Sequence, residues 1–173
     1  MRNSIIIALL SILAATVAKA ANEDPKVSVA KLKSLCEKMG KPTISGKFKA
    51  GDYEVPDLMC GKTSIRSNDH ELVANVTRDL GGICTLFVRT VDDKNFIRLS
   101  TTVLHAKTKK RCINTALINP GPVYDRIIKG LDYEGDASIC DNDYKTYYEP
   151  IKDGDKVIGI YLCGYLKNAA GKK

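Results

Sequence analysis

Apolar residues recur along this chain with two different periods, and the points where the period changes divide it into elements. Val29, Leu32, Leu35, Cys36 and Met39 return every three or four residues, which is one face of a helix. Asp24 followed by Pro25 supplies an N-cap and a proline at the first helical position, and Gly40 with Pro42 stops the run, so a helix is expected over 25–39. Residues 41–66 carry no long period and are punctuated by Gly and Pro, with room for one or two short strands, Tyr53–Met59 among them. Leu72, Val73, Val76 and Leu80 restore the helical period. Asn68-Asp69-His70-Glu71 reads as a capping box in front of them, and Gly81-Gly82 closes the element.

From there the period shortens to two. Ile83–Thr90 and Asn95–Val103 alternate as strands around the turn Asp92-Asp93-Lys94. A basic loop follows, then a short helix with Pro122 near its start and Gly130 just past its end. Three further strands are expected: about 133–140, then 144–151 after the turn Asp141-Asn142-Asp143, then 156–166 after Asp153-Gly154-Asp155-Lys156. Two helices, two strands, a helical connection and three strands describe an α+β domain. Its five-stranded antiparallel sheet has the N-terminal helix and the other helices packed on one face. The space between sheet and connecting segment is the natural place for a pocket.

The first 20 residues add an address. Arg2, an apolar run over Ile5–Val17 and the small-x-small triplet Ala18-Lys19-Ala20 form an export signal cleaved after Ala20. The run is shorter than the roughly 20 apolar residues that span a bilayer. Cleavage removes two basic residues and no acidic ones, which lowers the formal charge from +7 to +5. That basicity is scattered. Lys107, Lys109, Lys110 and Arg111 make one dense cluster without interleaved aromatics, so a solvated loop is the reading and nucleic acid is not an expected partner. The product is expected to be periplasmic or secreted, ending in a frayed tail over 168–173.

Six cysteines in an exported chain argue for at least one disulfide, with the pairing left open. There is no CxxC motif and there are two histidines, so no zinc site or cofactor is expected. Asp141-Asn142-Asp143 opens like a calcium loop, but Thr146 and Lys152 stand where its glycine and glutamate belong, and a turn is the better reading. No nucleophile elbow or paired-carboxylate signal is present, which argues against an enzyme.

Five of the eight tyrosines, Tyr144, Tyr147, Tyr148, Tyr161 and Tyr165, crowd into 144–166. A tyrosine presents a large apolar ring with a polar tip, suited to the wall of a pocket for a small polar molecule. Tyr144, Thr146 and Tyr148 share one strand face, and Lys145, Tyr147 and Glu149 share the other. Arg98 shares its side of a strand with Phe96, Ser100 and Thr102. Turned inward it is a bidentate clamp for a carboxylate; turned outward it is a solvated arginine on the polar side of a half-buried strand.

Three ordered blocks resemble a single Cache domain, the extracellular sensor module with a PAS-like sheet, in its Cache-three/Cache-two fusion form. One runs from Val55-Pro56 through Glu71-Leu72-Val73 to Ile83-Cys84-Thr85-Leu86-Phe87-Val88-Arg89. Another is Phe96-Ile97-Arg98-Leu99-Ser100-Thr101, continuing to Arg111-Cys112-Ile113-Asn114-Thr115. The last joins Tyr133-Glu134-Gly135, Tyr144-x-Thr146-x-Tyr148-Glu149-Pro150-Ile151 and Val157-Ile158-Gly159-Ile160. The resemblance covers 50–167, with 21–49 as an N-terminal helix and connector.

Such domains usually sit between two membrane helices of a receptor and bind small organic molecules, often carboxylates. The resemblance therefore implies a ligand site built from Arg98, Ser100, Arg111, Thr115, Tyr133, Tyr144, Thr146 and Tyr148. Arg111 also belongs to the solvated loop, and Tyr144 also fits a packing role. The expected function is an exported ligand-binding sensor module for a small organic acid, acting through a separate membrane receptor or sensor kinase, because this chain shows no second membrane helix. The alternative is an interaction protein with a collapsed pocket that forms a homodimer through the 25–39 helix.

Overall fold

A computed structural model describes residues 23–167, so the predicted signal and the 168–173 tail lie outside the described residues. The elements are α1 (Pro25–Met39), β1 (Pro42–Ala50), β2 (Tyr53–Cys60), β3 (Thr63–Ile65), α2 (Glu71–Leu80), β4 (Ile83–Arg89), β5 (Phe96–Thr101), α3 (Pro122–Ile127), β6 (Tyr133–Ile139), β7 (Asn142–Asp153) and β8 (Lys156–Leu166). Two antiparallel sheets form. The larger has the order β5-β4-β8-β7-β6, and the smaller is β1-β2-β3.

The last strand in the chain lies at the centre of the large sheet, and its composition explains the layering. Val157 through Tyr165 are buried without interruption, so this strand needs cover on both faces. On one face α1, α2 and the small sheet enclose Val29, Leu32, Val55, Leu58, Val73, Val76, Tyr147 and Tyr161. On the other, α3 and the segment before it enclose Phe87, Phe96, Leu117, Val123, Tyr124, Ile127, Tyr148 and Leu162. The expectation that all helices pack on one face is corrected here, since a single-sided cover would leave half of β8 in water.

α1 begins as its sequence dictates, with the Asp24 carboxylate accepting from the Lys26 amide at 2.8 Å. Its apolar stripe is used up within the chain: Val29, Leu32 and Cys36 are at most 1 % exposed. Leu32 is therefore a core residue, and dimerisation through this face of the helix is overturned. The capping box before α2 does not close. His70 occupies the cap position without a side-chain bond, and the Asp69 carboxylate accepts from the Glu71 amide instead. Residues 41–66 hold three strands rather than one or two, because Ile44 and Phe48 in β1 pack on the core across a bulge between Ser45 and Phe48.

Three disulfides join distant elements: Cys36–Cys60 ties α1 to β2, Cys84–Cys163 crosses β4 to β8, and Cys112–Cys140 ties the connecting segment to the β6–β7 turn. That turn is Cys140-Asp141, both residues left-handed (φ 51° and 68°), so β7 starts at Asn142. A two-residue turn of that hand suits a twisted hairpin, and it lies one residue earlier than the Asp-Asn-Asp run suggested.

Candidate functional site

A pocket of about 370 Å³ opens between the connecting segment with α3 on one side and β6 with β7 on the other. Arg98 lines it from β5. Its side chain is 5 % exposed, an unusual state for a charged residue without an ion-pair partner. Among the described residues no carboxylate pairs with it. Its guanidinium lies 4.9 Å from the Phe87 ring centroid, and its Nη1 donates to the Thr115 hydroxyl. Longer contacts from Nη1 reach the Cys112 carbonyl (3.5 Å) and the Cys140 sulfur (3.8 Å). Nε is buried and has no hydrogen-bond partner. Burial pulls the guanidinium down to about 10, against the favourable influence of Tyr148. This group is held charged at ordinary pH where charge is costly.

The connecting segment is fixed in place by pairing with β5. The Arg98 amide donates to the Thr115 carbonyl (2.9 Å), the Asn114 amide to the Arg98 carbonyl (2.8 Å), and the Leu117 amide to the Phe96 carbonyl (2.8 Å). The segment thus covers the sheet edge and brings Thr115, Ala116 and Leu117 to the pocket. Opposite them, Tyr133 and Tyr148 meet edge to face, with centroids 5.9 Å apart. Tyr148 is 2 % exposed. Burial pushes its hydroxyl up to about 12, although Arg98 acts the other way. Tyr148 therefore stays a neutral phenol beside a cation.

Arg98, Thr115, Tyr133 and Tyr148 thus line the pocket together, and the other four candidates do not line it. Ser100 faces the opposite side of the sheet. It stands opposite Leu86 while Arg98 stands opposite Phe87, so Leu99 is an extra residue and the two no longer share a face. The Ser100 hydroxyl lies 3.4 Å from His70 Nδ1 instead. Arg111 turns back and donates to the Thr101 carbonyl. Tyr144 is packed in the second core near the start of β7, opposite Ala137 and Leu166. The Thr146 hydroxyl donates to the Gly135 carbonyl at 2.7 Å, and its side chain lines a separate shallow groove with Lys145.

The chain matches the family model of the Cache 3/Cache 2 fusion domain over residues 5–172. It belongs to that family. Cache domains are extracellular or periplasmic sensor modules that bind ligands and are not enzymes. The PAS-like five-stranded sheet and the three disulfides fit that class. Comparison with curated proteins and with solved structures gives no match. Among the described residues, no helix is long and apolar enough to cross a membrane.

In this Cache domain, sequence reasoning missed the apolar wall of the pocket. Leu117, Ile118 and Val123 line it together with Ile139. The signal was present as Ala116-Leu117-Ile118 followed by Pro120-Gly121-Pro122, an apolar run entering a rigid turn. Cys140 was also missed, because its place in the pocket depends on the left-handed turn. His105 lies within 4.8 Å of the Cys112 and Cys140 sulfurs. Both sulfurs are consumed in a disulfide, and a metal needs thiolates.

Proposed function

We propose that this Cache domain is the ligand-binding part of an exported sensor, and that its ligand is a small organic acid with a hydrocarbon body. The supporting observation is Arg98: a buried guanidinium without a carboxylate, with an unpartnered Nε, lining a pocket of about 370 Å³. A carboxylate arriving there completes an ion pair in a low-dielectric site, where it is worth most. The neutral Tyr148 phenol and the Thr115 hydroxyl supply polar contacts beside it. Leu117, Ile118 and Val123 receive the hydrocarbon part. Ligand occupancy is then read by a separate membrane receptor or sensor kinase, and the chain reaches that partner after cleavage following Ala20.

A thermal-shift titration with straight-chain carboxylates of two to six carbons, and with the matching amides, tests this reading. Carboxylates are expected to raise the melting temperature, the amides are not, and Arg98→Met is expected to abolish the response. A shift given equally by amides, or retained in Arg98→Met, would sink it.

A further inference from the structure

A second cleft, of about 360 Å³, lies on the opposite face of the sheet, between α1 and the β7–β8 hairpin. At its base Tyr161 is 2 % exposed, and its hydroxyl has no hydrogen-bond partner. A phenol buried without a partner costs stability unless something supplies the missing bond. Its surroundings define what that something is. Glu149 stands directly opposite Tyr161 across the β7–β8 ladder, so the two side chains are neighbours on one face. Glu37, one helical turn beyond Lys33 on α1, lines the same cleft and makes no ion pair among the described residues. Asp132 completes an acidic rim and already accepts from the Tyr147 hydroxyl at 2.6 Å.

Lysines are present too, and two of them are paired. Lys33 joins Glu149 across it at 2.6 Å, and Lys41 is turned to Asp153 at 2.7 Å. Three lysines and three carboxylates line the cleft, and two of the carboxylates act on Tyr161. Glu37 and Glu149 add to burial in pushing the Tyr161 hydroxyl upward. Glu149 acts foremost, with Glu37 and Asp132 behind it, to raise Lys33. A buried, unpartnered hydroxyl beside the Glu149 carboxylate is placed to accept a hydrogen bond from a cation held by that carboxylate.

We propose that this cleft is a second binding site, specific for a primary ammonium group. The ammonium displaces Lys33 from Glu149, donates to that carboxylate and to Glu37, and gives its remaining hydrogen to the Tyr161 oxygen, which matches its three donors. Pro42, Pro150 and Ile151 bound the carbon body. Lys152 lines the same cleft without an ion pair among the described residues, so a ligand carboxylate has a partner there. The site is separate from the Arg98 pocket and does not rest on the organic-acid reading.

The test is isothermal titration calorimetry of the protein spanning residues 21–173 with n-butylammonium chloride, putrescine and L-norvaline in turn. Saturable binding of at least one is expected. Binding of norvaline alone assigns a zwitterion; binding of butylammonium or putrescine as well assigns the ammonium by itself. Tyr161→Phe keeps the ring and removes only the hydroxyl, and is expected to weaken binding about tenfold or more. Glu37→Gln tests the second contact without touching the core and is expected to weaken it likewise, while Arg98→Met leaves it unchanged. Absence of saturable binding by all three probes overturns the proposal. So does binding that Tyr161→Phe and Glu37→Gln weaken less than tenfold, or that Arg98→Met removes.

Discussion

Arg98 and Phe87 face each other across the β4–β5 ladder, with the guanidinium 4.9 Å from the ring centroid. The ring does part of the work a carboxylate would do, since its face attracts a cation and asks for no desolvation of an anion. This leaves the charge housed but not neutralised, which fits the acid proposed as its ligand. Arg98→Met fills the same volume without charge. The variant is expected to gain about 1 kcal/mol of stability in urea denaturation, because a buried charge is replaced by apolar packing. A loss of similar size would instead make Arg98 a structural residue.

The disulfides differ in what they restrain. Cys84–Cys163 closes a loop with a separation of 79 residues, against 24 for Cys36–Cys60 and 28 for Cys112–Cys140. Paired Cys→Ala replacement is expected to cost about 4–5 kcal/mol for the first and about 3–4 kcal/mol for either of the others. Chemical denaturation of the three double variants checks the order. The reverse order would show that native packing, and not chain entropy, sets their contribution.

His70 predicts a pH dependence. Its Nδ1 accepts from the Thr101 amide at 3.4 Å, which requires an unprotonated nitrogen. Burial, and then Arg111, hold its pKa below the ordinary 6.5. The unfolded chain therefore takes up the proton first as pH falls. The stability His70 contributes is complete above 6.5 and is lost as pH drops through the depressed folded value. Melting temperatures at pH 7.5 and 5.0 should fall less in His70→Gln than in the parent. An equal fall would remove His70 from the account.

Gly61 has φ +61°, and a Cβ there would sit 1.9 Å from the Met39 carbonyl. Both the backbone conformation and the close approach demand glycine. Gly61→Ala is expected to cost more than about 2 kcal/mol, by parting the β2–β3 turn from the end of α1. A neutral result would mean that this junction gives way without harm.

Much of the fold was legible because strand and helix periods are local properties. α1, α2 and the five strands of the large sheet follow from the spacing of Val29, Leu32, Val73, Val76 and the alternations after Ile83. The small sheet was only half legible, since Pro42, Gly46 and three lysines in or beside β1 mask its two packing residues. At the site, Arg98 and Tyr148 were legible as an arginine and a tyrosine placed within apolar strands. Ser100 was not, because alternation cannot reveal where an extra residue such as Leu99 resets the phase. Arg111 and Thr146 found backbone carbonyls ten and eleven residues away, across a loop and a hairpin, and strand alternation alone does not record those contacts.

The Cys112–Cys140 bond joins the two residues whose carbonyl and sulfur stand beside the Arg98 Nη1. In a reducing cytosol those thiols would stay apart, and the floor of the pocket would lack its tie. The pocket around Arg98 is therefore complete only in an oxidising compartment. On the organic-acid reading proposed above, a newly made chain would meet the cell's internal store of organic acids before its pocket is complete, and such a sensor would report on its surroundings while blind to the cell that made it.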